Sequence, residues 1–69
     1  MVNVRKQLGV RIRDRRTAQG LTQEELAHRA RLDFSYLNQI ENGRRNPSLD
    51  AIGRIAHALD VPVRDLISF

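Results

Sequence analysis

Cysteine is absent from this sequence of 69 residues, which excludes a disulfide framework and a thiolate metal site and leaves stability to packing alone. Aromatic residues make up only 4% of a chain that is 41% hydrophobic, so the core must be built from Leu, Ile, Val and Ala. A chain this short buries only about 60% of the surface its unfolded form exposes. One domain over residues 1–69 is expected, and a lone copy would be marginal, so self-association is expected too. No run of about 18 apolar residues occurs and the N-terminus lacks a secretion-signal core, which points away from membranes and export and toward a soluble, cytoplasmic protein. Low-complexity segments, internal repeats and linkers are also missing. So are the marks of an enzyme: His28 and His57 fall on different helices, and there is no paired-carboxylate or Ser-His pattern and no Gly-rich phosphate loop. Both histidines read as surface residues, and no metal or cofactor site is expected.

What the chain does have is positive charge. The formal net charge is +4, and residues 1–31 hold eight Arg or Lys against three Asp or Glu, whereas residues 32–69 hold four against five. A polyanionic partner is favoured, because Arg and Lys that neutralise phosphates release condensed counterions. Eleven of the twelve cations are Arg. An arginine-rich genome explains that bias as well as phosphate binding does, so it carries no weight.

Closely spaced start and stop signals predict five helices. The first runs from Val4 to Gln19, with Val4, Leu8 and Ile12 on one apolar stripe and Gly20 as a left-handed cap. Thr22 opens the second, and Glu25 three residues later completes a capping box. Leu26, Ala27 and Ala30 give it an inner face before the break at Arg31-Leu32-Asp33. Asp33 caps a third helix from Phe34 to Asn42, which Gly43 ends, and Pro47 blocks any continuation. Ser48 opens the fourth, whose Leu49, Ile52, Ile55, Ala56 and Leu59 form a stripe that must face a core. Pro62 stands where the fifth begins. That last helix and its flanks carry more apolar surface than so short a segment needs, in Val61, Val63, Ile67 and Phe69, and these four are the predicted dimer interface.

Two short helices joined by a tight turn, here about residues 22–42, make a helix-turn-helix unit whose second helix can enter the major groove of DNA. On the third helix Tyr36, Leu37 and Ile40 share the core side. The opposite side presents Ser35, Asn38, Gln39 and Asn42, with Phe34 at its edge. An uncharged, amide-rich row suits base edges, since Asn or Gln can pair with adenine through two hydrogen bonds, and Phe34 suits a thymine methyl. Gln23 before this helix, and Arg44 and Arg45 after it, are candidates for phosphate contacts that fix register without reading sequence. A solvated loop is the alternative for the two arginines. The backbone N–H groups opening the third helix add an anion site.

Three runs carry a resemblance: Gly20-Leu21-Thr22-Gln23-Glu24-Glu25-Leu26-Ala27, then Tyr36-Leu37 through Gln39-Ile40-Glu41-Asn42-Gly43, then Asn46-Pro47-Ser48-Leu49 with Ile55-Ala56 and Ala58-Leu59. In this order and spacing the chain resembles the Cro/repressor-type, or XRE, helix-turn-helix family from about Leu8 to Ile67. The resemblance implies an all-α, compact five-helix fold of the lambda-repressor type and a homodimer on two-fold symmetric double-stranded operator DNA. It implies a phosphate contact at Gln23, base-edge positions for Phe34, Ser35, Asn38 and Gln39, a backbone position for Asn42, and an Arg16–Glu41 ion pair. Within the family, Leu32-Asp33-Phe34-Ser35-Tyr36 looks like the matching run of restriction-modification controller proteins. That likeness would turn Tyr36 partly toward the DNA beside Ser35, whereas helical spacing sets it at the core boundary.

Two residues depart from the family pattern. Arg31 replaces the usual turn glycine, which leaves open a differently wound turn, and Asp33 replaces Ser or Thr as a cap that repels phosphate. Antitoxins with the same fold offer a second functional reading, in which a protein partner matters as much as DNA. No charged extension follows Phe69 to wrap a toxin, which favours DNA reading. A third reading makes the chain the DNA-binding piece of a longer regulator.

Overall fold

The computed structural model describes residues 3–68, which form five helices and, among those residues, no strand. Helix α1 spans Val4–Ala18, α2 Gln23–Ala30, α3 Phe34–Glu41, α4 Leu49–Leu59 and α5 Arg64–Ile67. Side-chain caps begin three of them: Asn3 accepts from the Lys6 N–H, Thr22 and Glu25 form the reciprocal capping box, and Ser48 accepts from the Ala51 N–H. Asp33 does not act as expected. Its backbone takes the extended N-cap conformation, but its carboxylate makes no cap hydrogen bond and instead accepts from the Ser35 hydroxyl at 2.7 Å.

Helix α4 packs chiefly on α2, α3 lies against α1 and α2, and α5 closes onto α1. Between them Leu8, Ile12, Leu21, Leu26, Leu37, Ile40, Ile52, Ile55, Leu59 and Leu66 make one buried cluster, with Ala27, Ala30 and Ala56 where helices approach closely.

Each of the first four helices ends in the same way. A residue with positive φ donates to the carbonyl three back, and the next residue reaches five back: Gly20 and Leu21 to Thr17 and Arg16, Arg31 and Leu32 to His28 and Ala27, Gly43 and Arg44 to Ile40 and Gln39, and Asp60 and Val61 to His57 and Ala56. The turn between α2 and α3 is therefore not rewound for want of glycine, and Arg31 itself takes φ 56° and ψ 43°. The penalty is about 1–2 kcal/mol for a non-glycine residue. It is offset by the two backbone hydrogen bonds and by Leu32, which packs against the core.

Two apolar positions and one helix boundary need correction. Val4 is exposed, and the part of α1 that enters the core begins only at Leu8. Leu49 is 80% exposed although it belongs to the predicted α4 stripe. At about 100° per residue, the buried side chains of α4 span an arc that Leu49 only borders. It heads a row with Gly53 and His57 that opens onto a groove beside Arg29 and Arg31. The last helix begins at Arg64 rather than Pro62, with Val63 as its N-cap. His28 and His57 are both exposed.

Candidate nucleic-acid interface

The outer side of α3 follows from which of its residues the core takes. Leu37 and Ile40 are fully buried, and Tyr36 lies half-buried against the core edge, its hydroxyl accepting from the Ser48 N–H at 3.4 Å. The remaining face carries Ser35, Gln39 and Asn42 in the open and Asn38 half-buried, with Phe34 46% exposed beside them. Ser35 spends its proton on Asp33, so toward a ligand it offers lone pairs.

An ion pair fixes the C-terminal end of this helix. Arg16 on α1 donates from Nε and Nη2 to the two carboxylate oxygens of Glu41, at 2.8 and 3.0 Å, and from Nη1 to the Leu21 carbonyl at 2.9 Å. The Glu41 side chain is fully buried, a placement that a carboxylate tolerates only when it is paired and hydrogen-bonded. Gly9 makes the close approach of α1 and α3 possible: a Cβ there would sit 2.5 Å from the carbonyl oxygens of Ile40 and Glu41.

Polar contacts spread from Glu41 to the surface. Gln23 Nε2 donates to Glu41 Oε1 at 3.0 Å, Asn38 Nδ2 to Gln23 Oε1 at 3.0 Å, and Asn42 Nδ2 to Asn38 Oδ1 at 3.3 Å and to its carbonyl at 2.9 Å. Arg13 Nη2 donates to Asn42 Oδ1 at 3.5 Å, and its Nε lies 3.7 Å from Glu41 Oε1. Arg13 is not among the residues that the sequence singles out. No local signal marks it, since its partners are 28 and 29 residues away in the chain.

Arg44 and Arg45 are both exposed after Gly43, and the Arg45 guanidinium lies 5.2 Å from the centre of the Tyr36 ring. That stacking holds a cation at the N-terminal side of α3. Of the four residues assigned to a dimer interface, Val63 and Ile67 are exposed, Val61 is half-buried against the core, and Phe69 lies outside the described residues. Among the described residues no three His, Asp or Glu side chains gather as a metal site would require, and no helix is long and apolar enough to cross a membrane.

Five short helices, with α2 and α3 joined by a tight left-handed turn and α3 exposing a polar row, define a helix-turn-helix protein. The helix-turn-helix family model matches residues 12–66, and the chain belongs to that family, in its XRE-type branch. It is 40% identical over 68 residues to the control protein C.BamHI of Bacillus amyloliquefaciens, a match covering 97% of this chain and 84% of that protein. It is 38% identical over 60 residues to the transcriptional regulator ClgR of Mycobacterium tuberculosis, covering 87% of this chain but only 54% of that longer protein. Among solved structures, the restriction-modification controller protein C.AhdI from Aeromonas hydrophila superposes with a TM-score of 0.88 at 47% identity, covering 90% of this chain and 94% of that one.

Proposed function

We propose that this protein is a sequence-specific regulator of transcription that lays α3 in the major groove of duplex DNA and binds a two-fold symmetric operator as a homodimer. The observation that carries the reading is the outer row of Ser35, Gln39 and Asn42, with half-buried Asn38 among them, on a short helix tied to α1 by the Arg16–Glu41 pair. Amides and hydroxyls match base edges, and a helix held by its buried side and by that ion pair presents them without further ordering. Phe34 meets a thymine methyl, and Tyr36 borders the DNA with the Arg45 cation above its ring. Gln23, Arg44 and Arg45 contact phosphates. Val61, Val63, Ile67 and Phe69 join two copies so that their α3 helices stand about 34 Å apart, one turn of the duplex. The likeness to two controller proteins over 84% and 94% of their lengths favours that subgroup, acting in the cytoplasm.

The test is selection of binding sites from a random duplex pool, followed by titration of the selected and a scrambled duplex at about 150 mM salt. A symmetric site bound at least about 10³-fold more tightly than the scramble is the expected result. Equal, weak and steeply salt-dependent binding of both would refute specific reading and leave only the charge acting. Sedimentation of the complex checks the dimer, and one copy per symmetric site would overturn it.

A further inference from the structure

The contacts around Glu41 form a chain with a direction: Arg13 donates to Asn42, Asn42 to Asn38, Asn38 to Gln23, and Gln23 to Glu41. A guanidinium has only donors and a carboxylate only acceptors. The three amides between those ends must therefore all point the same way. Turning any one of them would set oxygen against oxygen on one side and nitrogen against nitrogen on the other. The acceptor end is fully buried and held by Arg16, while the Arg13 side chain at the other end is about half exposed. The orientation is thus anchored in the core and delivered at the surface.

We infer that this chain makes Asn38 the adenine-reading residue of α3, with Gln23 and Asn42 as its positioning residues. This deepens the function proposed above and rests on it. Asn38 gives one Nδ2 hydrogen to Gln23 and takes one hydrogen bond on Oδ1 from Asn42. It keeps one N–H and one lone pair, the donor and the acceptor that adenine N7 and N6 call for in the major groove. Asn42 does not share this role, because its donor is spent on the Asn38 carbonyl and side chain and its oxygen faces Arg13. Gln23 also keeps one N–H, which suits a phosphate oxygen. A freely turning Asn38 would accept other bases by flipping its amide, so the chain supplies discrimination more than affinity.

The test compares base preference, position by position, for the wild type and for Asn38→Ala, Gln23→Met and Asn42→Asp, by selection from a duplex pool and titration of single-base variants. Circular dichroism melting verifies that each variant folds. The wild type should prefer adenine at one position of each half-site by about tenfold or more, and Asn38→Ala should reduce that to within about twofold. Gln23→Met should relax the same position at least about threefold and leave the others intact, and combining it with Asn38→Ala should add nothing there. Asn42→Asp, which removes the donor to Asn38, gives an independent check and should relax the same position. Uniform weakening by Gln23→Met with every preference retained would reduce Gln23 to a phosphate anchor and overturn the inference, as would an unchanged preference in Asn38→Ala. A wild type that selects no site at all would instead overturn the function on which the inference rests.

Discussion

Two glycines inside helices provide a paired test of how α3 is held. Replacing a mid-helix glycine with alanine ordinarily stabilises a protein by about 0.5–1 kcal/mol, through reduced freedom of the unfolded chain. Gly53 in α4 has nothing within 4 Å of where a Cβ would stand, so Gly53→Ala should show that gain. At Gly9 the new methyl would lie 2.5 Å from two backbone oxygens of α3, whereas ordinary contact begins at 3.4 Å, so the helices must part by about 0.9 Å. Neither side can yield as a flexible side chain would. Parting also stretches the Arg16–Glu41 hydrogen bonds and loosens Leu8, Ile12 and Ile40 in the core. Overpacking of this kind costs about 1–3 kcal/mol, which outweighs the propensity gain and leaves Gly9→Ala about 1–2 kcal/mol less stable than wild type. In a domain of this size each kcal/mol moves Tm by about 4–8 °C. Thermal unfolding followed by circular dichroism should therefore move the two variants in opposite directions, with Gly9→Ala lower by about 5–15 °C. A Gly9→Ala protein that melts at or above the wild type would refute the close approach of α1 and α3.

Three further outcomes are expected. Arg31→Gly should raise stability by about 1 kcal/mol in urea unfolding, because the left-handed turn and its backbone bonds remain while the Cβ penalty goes, and an unchanged or lowered midpoint would contradict the turn geometry. Arg16→Met leaves the Glu41 carboxylate buried with only Arg13, 3.7 Å away, as counter-charge, and should cost about 3 kcal/mol or more. A loss below about 1 kcal/mol would mean that the pair does not hold the helix. Hydrogen bonds from the Thr22 backbone and then its hydroxyl, with Arg29 nearby, keep the Glu25 carboxyl below its ordinary value of 4.5. Its contribution to the α2 cap is then complete above that value and is lost as pH falls through the lowered one, so an NMR titration of Glu25 at or above 4.5 would remove the capping box as the cause.

The local features of the fold were legible because their physics acts within four residues. Thr22 with Glu25, Ser48 before Leu49, and Gly20 and Gly43 after their helices each satisfy backbone groups of the adjacent turn, so residue type and spacing suffice to place helix ends. The apolar period of α3 and α4 likewise identified Leu37, Ile40, Ile52, Ile55, Ala56 and Leu59 as core, all of them buried. The row from Ser35 to Asn42 is the complement of that period.

Other features depended on what one helix meets on another. Leu49 differs from Ile52 only in standing at the margin of the arc that α2 covers, and no periodicity reveals where a neighbour's surface stops. Asp33 had the chemistry of a cap, yet the Ser35 hydroxyl took its carboxylate. Arg31 adopts a conformation that its residue type disfavours, because helix packing requires the chain to turn there. The sequence by itself determined the helices, their buried faces and a polar row fit to meet base edges. Only the tertiary structure decided that Arg13, Gln23, Asn38, Glu41 and Asn42 form one directed chain, because those contacts join three helices and form only once the core has packed them together.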